Sequence, residues 1–298
     1  MDYLAYDRAR HRVWVPAGNT GSVDVIDTDQ NTVVRLEGFA TAEVERKGKK
    51  RTVGPSSATV GQGVVYVGNR GDGTVCAIDA ATLRREGCVT IPSMPDGLAY
   101  VASTKEVWVT TPRDRSINVV DVATPGSPKL KGEIRFDGDP EGFAVDDARG
   151  IFYTNLEDKD RTLAIELKSR TVVATWLPRC GEDGPKGLAL AGDANFLFVA
   201  CADAALVLDA GHEGKTLARV PTGEGVDNIY YLEGQRALYV AAGRAATMTV
   251  VQVDARGGLS VSATVATSPG ARNPVVTDQG TAYLTDSQQS RILVVRPR

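Results

Sequence analysis

The sequence predicts an all-β protein, a seven-bladed β-propeller of four-stranded antiparallel blades that forms a single domain over residues 1–298. Two observations predict this fold. Three series of short apolar segments each recur seven times, and the copies lie roughly 40–45 residues apart, a period typical of propeller blades. Because each such blade buries its faces only against its neighbours and no capping repeat is visible, the repeats are expected to close into a ring.

The first series opens the innermost strand of each blade. Each copy is a short apolar run introduced by a proline or a polar residue, as expected where a strand follows a turn. The seven copies are residues 2–6, 55–59, 95–100, 140–144, 185–189, 227–230 and 272–275.

The second series supplies the second strand of each blade. An aromatic residue is followed by β-branched or small residues, a composition that favours strands. The copies are residues 14–15, 66–69, 108–111, 152–155, 198–201, 239–240 and 283–286.

The third series is an apolar residue closed by an acid, and it marks the end of the third strand. Six copies follow this pattern: Ile26-Asp27, Ile78-Asp79, Val120-Asp121, Ile165-Glu166, Leu208-Asp209 and Val253-Asp254. The seventh copy departs from it, because Val295 is followed by Arg296.

A fourth segment follows each acid, as at residues 32–36, 171–176 and 217–220, and it predicts the outer strand of the blade. The seventh copy ends at Arg298, just after its third strand, and the chain begins on the innermost strand of the first copy. Blade 7 is therefore expected to lack its outer strand. Either the chain is trimmed at its N terminus, or blade 7 has only three strands.

Composition and charge exclude several classes of protein. The chain is 42% hydrophobic and 24% charged with a formal net charge of −3, so it has no general basic field for nucleic acid. The sequence contains no run of about 18 apolar residues of the kind that predicts a membrane span. No signal peptide is visible either. We expect a monomer that binds no nucleic acid and does not span a membrane.

The second-strand motifs carry a resemblance to a known family. Residues 66–69, 108–111 and 152–155, read with the Ile/Val-Asp pairs, make the chain resemble the YVTN family of seven-bladed propellers. The resemblance covers nearly the whole chain. It implies the fold and a periplasmic or secreted location, but not a defined activity, because fold does not imply function.

Two elements are also similar to those of gluconolactonase and NHL-type propellers. These are Pro95-Asp96-Gly97 and Pro140-Glu141-Gly142. The similarity implies that the acid before the glycine can bind a central divalent cation. Lys186 and Arg272 depart from that pattern at the equivalent positions.

The residues that open the innermost strands are expected to face the mouth of the central channel. The predicted binding residues there are Asp2, Ser56, Asp96, Glu141, Lys186, Asp227 and Arg272, joined by Asn69 and Asn155 from the ends of second strands. Loops on the same mouth are expected to add charged residues, among them Arg70 and Glu157. One interpretation is that the acids neutralise the two bases in a polar channel. The other is that a metal or an anionic ligand binds between them.

These interpretations lead to different functions. The first is a binding or interaction module that holds a small polar ligand, a cation or a partner peptide at the charged mouth. The second is a hydrolase that depends on a divalent cation such as Ca²⁺, with Asp96, Glu141 and Asp227 as ligands that help polarise a lactone or ester oxygen. A purely structural module is a third possibility. The two bases favour the binding module.

Other reactive residues give weaker signals. His11 and His212 lie in predicted surface turns, and residues 45–51 form one basic run, interpreted as a solvated hairpin tip. We expect Cys76 and Cys88 to be buried, small apolar side chains. For Cys180 and Cys201 a disulfide and two thiols are equally favoured.

Overall fold

The computed structural model describes residues 2–46 and 48–296, and the chain divides into two compact units, Met1–Asp137 and Gly138–Arg298. Every blade is a small antiparallel sheet, and the fold is an all-β seven-bladed β-propeller. The predicted fold class is confirmed. The prediction of a single domain stays a prediction. Within the described residues, no helix is long and apolar enough to cross a membrane.

The first unit contains three four-stranded blades. In each of them the strands are hydrogen-bonded in chain order from the inside outwards, which places the first predicted series innermost. Blade 1 comprises β1 (Ala5–Asp7), β2 (Arg12–Pro16), β3 (Val23–Asp27) and β4 (Thr32–Leu36). A separate hairpin follows blade 1 and comprises β5 (Ala42–Arg46) and β6 (Lys49–Val53). Blade 2 comprises β7 (Pro55–Gly61), β8 (Val64–Asn69), β9 (Thr74–Asp79) and β10 (Arg85–Thr90). Blade 3 comprises β11 (Leu98–Val101), β12 (Glu106–Thr111), β13 (Ser116–Asp121) and β14 (Lys129–Arg135).

The second unit contains three four-stranded blades and one three-stranded blade. Blade 4 comprises β15 (Pro140–Asp146), β16 (Ile151–Leu156), β17 (Arg161–Glu166) and β18 (Val172–Trp176). Blade 5 comprises β19 (Leu188–Ala191), β20 (Phe196–Ala200), β21 (Ala204–Asp209) and β22 (Lys215–Pro221). Blade 6 comprises β23 (Val226–Leu232), β24 (Ala237–Ala242), β25 (Thr247–Val253) and β26 (Leu259–Ala266). Blade 7 comprises β27 (Ala271–Val276), β28 (Ala282–Asp286) and β29 (Arg291–Val295).

The only helical segments among the described residues are short 3₁₀ turns. They cover Gly18–Thr20, Pro112–Asp114, Glu157–Lys159, Gly192–Ala194 and Glu233–Gln235. The predicted basic hairpin is confirmed as β5 and β6, and Lys47 lies outside the described residues. His11 and His212 both lie in turns, as predicted.

The second strand of each blade is its most buried element. In β8, β12, β20, β24 and β28 every residue is buried. Such a strand needs side chains that fill space on both faces of the sheet, which explains the recurring aromatic residue, as in Trp14 and Trp108. Within each unit, apolar clusters join neighbouring blades, for example Phe198 in blade 5 with Val240 in blade 6.

The acid that closes the third strand caps the turn into the fourth. In five blades its carboxylate accepts a backbone N–H two residues further on, from Asp29, Ala81, Ala123, Gly211 or Arg256. This is the Asx-turn geometry that favours aspartate before a tight turn. Blade 7 is described with three strands and has Arg296 at the capping position, and its predicted lack of an outer strand is confirmed. Pro297 and Arg298 lie outside the described residues.

Two glycines at the starts of innermost strands, Gly142 within β15 and Gly187 just before β19, permit close approach between blades of the second unit. A Cβ on Gly142 would lie 2.3 Å from the carbonyl oxygen of Lys186, and a Cβ on Gly187 would lie 2.6 Å from the Cα of Asn228. Any larger residue would therefore push neighbouring strands apart. The glycine of the Pro-X-Gly element has this packing role, independent of any cation.

The expectation for Cys76 and Cys88 is wrong, because the two residues form a disulfide. They lie directly opposite each other on β9 and β10 with a Cα–Cα distance of 4.0 Å. A β-bulge between Arg85 and Cys88 shifts the register by one residue. Without it, Cys88 would lie opposite Val75, and the two sulfurs would point to different faces of the sheet.

Candidate functional site

The predicted site residues of the first unit lie next to one another. Asp2 and Tyr3 both donate backbone N–H groups to the carbonyl oxygen of Ser56, and Tyr3 forms a parallel bridge with Ser57. The start of the chain therefore runs beside the start of β7. The Ser56 hydroxyl lies 3.4 Å from the carbonyl oxygen of Pro95, which links this pair to the start of blade 3.

Arg70 joins the acids of this group. It follows β8 directly, and its guanidinium contacts Asp2 at 2.6 Å, pairs with the carboxylate of Asp96, and donates to the carbonyl oxygen of Pro95 at 3.1 Å. Its side chain is only 16% exposed. A planar guanidinium with five donors suits such a bridging position. Two predicted site acids are thus held by one base.

In the second unit, Lys186 is the centre of a similar group. Its ammonium pairs with the carboxylate of Glu157, and its carbonyl oxygen accepts a hydrogen bond from the Asn155 side chain at 2.6 Å. Asn155 also accepts a hydrogen bond from the Thr162 hydroxyl. Because Asn155 is fully buried and bonded at both ends of its amide, it positions Lys186.

The same group continues to Asp227 and Arg272. The backbone N–H of Gly187 donates to the carbonyl oxygen of Asp227 at 2.8 Å, and the Asp227 carboxylate lies 3.1 Å from the Arg272 guanidinium. These two side chains are 32% and 40% exposed. They form the most solvent-accessible of the predicted site's ion pairs. Glu141 lies at the start of β15, beside Gly142, which packs on Lys186 and Gly187.

A disulfide fixes the loop that carries Lys186. Cys180 and Cys201 are bonded, with a Cα–Cα distance of 5.2 Å, which decides between the two alternatives left by the sequence. The Cys180 backbone N–H also donates to Asp160 at 3.0 Å, and the Lys186 N–H donates to the carbonyl oxygen of Ala200 at 2.7 Å. The lysine is thus placed by covalent and hydrogen-bond constraints together.

Three of the predicted binding residues have their polar groups turned into the protein. Ser56, Asn69 and Asn155 are each at most 2% exposed. The Asn69 carboxamide accepts the backbone N–H of Gly71 at 2.9 Å, so it shapes the turn that presents Arg70. The charged members of the two groups are therefore the ones that a ligand can reach.

No metal centre is evident in the part of the chain that the structure describes. Across residues 2–46 and 48–296, no three His, Cys, Asp or Glu side chains are grouped so that they could hold a metal ion. The assignment of Asp96, Glu141 and Asp227 as ligands stays a prediction. Two of these acids have arginine partners, Arg70 for Asp96 and Arg272 for Asp227.

Two residues expected on the loops near the site proved to be direct partners of its charged side chains. Arg70 and Glu157 lie in the loops that follow β8 and β16, one and two residues beyond Asn69 and Asn155. Their charge and their place after a second-strand motif were visible in the sequence. Which group each would meet depends on the neighbouring blade, and no local pattern contains that information.

Comparison with known proteins identifies the class. No protein-family model and no curated protein matches the chain. Among solved structures, a chain of a mitotic checkpoint complex is similar, with a TM-score of 0.81 and 13% identity over 100% of this chain and 87% of that chain. A chain of the hydrazine synthase of Kuenenia stuttgartiensis is similar with a TM-score of 0.81 and 14% identity over 99% of this chain and 95% of that chain.

These likenesses establish the fold and nothing finer, because one propeller fold hosts many unrelated functions. The chain is a seven-bladed β-propeller, a class whose members commonly act as interaction modules.

Proposed function

We propose that this propeller is a binding module that holds a polar partner, a small charged ligand or a peptide, at the charged starts of its innermost strands. The observation that carries the proposal is the pairing of acids with bases. Asp2 and Asp96 share Arg70, Glu157 pairs with Lys186, and Asp227 pairs with Arg272. A ligand that presents its own charges can exchange with such partly exposed pairs.

The pairing favours binding over cation-dependent hydrolysis. A hydrolase of that kind needs several carboxylate oxygens directed at one cation with an open coordination position. Asp96 and Asp227 each direct an oxygen at an arginine instead. A carboxylate already engaged by a guanidinium is a weaker cation ligand, because the two positive charges compete for it.

We also propose a family and a location for the chain, each on separate grounds. Second-strand ends such as Tyr66-Val67-Gly68-Asn69 support a place among YVTN-type propellers. The disulfides Cys76–Cys88 and Cys180–Cys201 support an extracytoplasmic location, since disulfides persist mainly in oxidising compartments.

The experiment is a selection from a phage-displayed random peptide library on the immobilised protein, followed by affinity measurements on variants. Asp227→Ala with Arg272→Ala removes the exposed pair of the site without changing the net charge. The matched control, Asp24→Ala with Arg35→Ala, removes the 2.8 Å pair between β3 and β4 in blade 1. We expect selected peptides to bind the control like the parent and the site variant about tenfold or more weakly.

Equal binding to both variants would contradict the proposal. Calcium forms a separate arm, in which thermal unfolding is followed with calcium and with a chelator. A stabilisation by calcium that is lost in both Asp96→Ala and Glu141→Ala would favour the hydrolase over the binding module.

A further inference from the structure

The connection between β18 and β19 carries Lys186 and is the longest between two blades of the second unit. It covers residues 177–187, whereas the other two connections cover residues 222–225 and 267–270. Residues 181–183, near its middle, are exposed. An exposed segment of this kind opens locally unless specific contacts hold it.

A disulfide and hydrogen bonds hold this connection in place. The Cys180–Cys201 bond joins it covalently to the residue that follows β20. The Cys180 N–H donates to the Asp160 carboxylate at 3.0 Å, and the Lys186 N–H donates to the carbonyl oxygen of Ala200 at 2.7 Å. A hydrogen bond contributes only modestly to stability because water can replace either partner. The disulfide is therefore the contact whose loss changes the connection most.

The path of the connection also determines where Lys186 meets its partner. A Cβ on Gly184 would collide with the carbonyl oxygen of Glu157, so the backbone of the connection lies directly against that residue. The φ of Gly184 is +64°, a conformation that favours glycine. The Glu157 carboxylate pairs with the Lys186 ammonium. A connection that leaves this path therefore separates the two charged groups.

A reductant can reach the disulfide from one side only. Cys201 is fully buried, whereas Cys180 is half-buried and is followed by the exposed Gly181. Thiol–disulfide exchange starts when a thiolate attacks an accessible sulfur. Attack on the Cys180 sulfur forms a mixed disulfide there and releases Cys201 as a thiolate, which takes up a proton. The second thiolate of a dithiol then attacks the reductant's own sulfur, which oxidises the reductant to a disulfide and releases Cys180 as a thiolate that is protonated in turn.

The second disulfide of the chain is a natural comparison. Cys88 is half-buried like Cys180, and its partner Cys76 is buried. These two cysteines lie on β10 and β9, which remain paired through their backbones on either side of the bond. Its reduction therefore frees no connection, although a reductant can reach it equally well.

We propose that the Cys180–Cys201 disulfide is a redox-sensitive switch that controls whether Lys186 is held in the binding site. The oxidised bond fixes residues 177–187, and a dithiol reductant releases them, so that Lys186 leaves Glu157. The consequence for ligand affinity rests on the proposed function, whereas the release of the connection does not.

The test compares the oxidised full chain with the same chain reduced by dithiothreitol, a small dithiol. Cys76→Ser with Cys88→Ser keeps only the switch, and Cys180→Ser with Cys201→Ser is the matched control that keeps only the other bond. Alkylation followed by peptide mass spectrometry identifies the reduced cysteines. Hydrogen exchange over residues 177–187 measures the release, and fluorescence anisotropy measures the affinity for the selected peptides.

In the variant that keeps only the switch, dithiothreitol should accelerate exchange over residues 177–187 about tenfold or more. Peptide binding should weaken roughly fivefold, because the released connection must be ordered again on binding. Reoxidation should restore both. In the control variant we expect fast exchange and weak binding with or without dithiothreitol.

Unchanged exchange over residues 177–187 when alkylation shows both cysteines reduced would overturn the proposal, as would a bond that dithiothreitol cannot open in the folded chain. Faster exchange with unchanged affinity would show that the released connection does not control binding, and it would overturn the switch while leaving the proposed function intact. If no peptide bound even the oxidised chain, the proposed function would fail, and the exchange measurement would still decide whether reduction releases Lys186.

Discussion

Asp286 is a buried carboxylate at the end of β28 whose protonation is coupled to folding. Its oxygens accept hydrogen bonds from the Ser268 hydroxyl at 2.6 Å, from the Arg291 guanidinium at 3.0 Å and from the Gln289 N–H at 3.2 Å. The Ser268 hydrogen bond, followed by that from Arg291, lowers the pKa of Asp286 below the ordinary aspartate value of 3.8. The carboxylate therefore stabilises the folded state fully above that value, and the stabilisation is lost as pH falls through the lower folded pKa.

Ser268→Ala is expected to raise the pKa of Asp286 towards its ordinary value, because it removes the largest stabilising contact of the anion. The acid-unfolding midpoint should then move to higher pH, and NMR titration of the Asp286 carboxyl carbon measures the pKa directly. Ser262→Ala is the matched control, since that hydroxyl donates to the carbonyl oxygen of Val250. An unchanged Asp286 titration in Ser268→Ala would show that the hydroxyl does not set this pKa.

At the residue scale, the repeat predicted where the charged residues lie along the chain but not how they pair. Asp2, Ser56 and Asp96 come together in the first unit, as do Lys186, Asp227 and Arg272 in the second. The repeat locates these positions because it fixes where each innermost strand begins. The partners Arg70 and Glu157 depend on side-chain reach between blades. A one-dimensional pattern carries no information on that reach.

At the scale of single elements, the two disulfides have different tasks. Cys76–Cys88 joins two strands that are already paired, whereas Cys180–Cys201 ties the loop between β18 and β19 to the end of β20. Replacing either pair by serines should lower the free energy of unfolding by roughly 3 kcal/mol, since each closes a loop of comparable length in the unfolded chain. Urea unfolding measures both losses.

Only the loss of Cys180–Cys201 should also mobilise the segment that carries Lys186. We expect hydrogen exchange over residues 177–187 to accelerate in Cys180→Ser with Cys201→Ser, and to stay unchanged in Cys76→Ser with Cys88→Ser. Equal acceleration in both double variants would mean that the disulfide has no local effect on the loop.

Registers and bulges set the limit of sequence-based prediction at this scale. The Cys76–Cys88 bond escaped prediction because it depends on a one-residue bulge in β10. Gly87 lies within the shifted segment, and a glycine inside a strand is compatible with a bulge, but it does not by itself fix the register that follows. The β28–β29 pairing, in contrast, is regular over all five residues of β29.

At the scale of the whole molecule, repetition made the fold predictable. Six blades repeat the same order of an inner strand, a buried second strand, a third strand closed by an acid, and an outer strand, and blade 7 repeats the first three strands without the acid. A single copy of such a pattern is ambiguous, but seven copies in phase exclude other assignments. Function has no comparable repetition, because the charged residues at the inner strands differ from blade to blade.

The same order predicts a gradient of hydrogen exchange in every blade. Amides protected by buried neighbours open only with large parts of the structure, whereas those of exposed edge strands open locally. We therefore expect the slowest exchange in second strands such as β12 and β24, which are buried throughout, and the fastest in outer strands such as β14 and β26.

β29 should exchange like an outer strand, although it is third in its blade, because its residues are exposed or half-buried. Hydrogen–deuterium exchange with mass spectrometry compares it directly with β21, the third strand of blade 5, which is buried over Ala204–Leu208. If the two strands exchanged equally slowly, the exposure of the β29 side chains would not determine how fast its amides exchange.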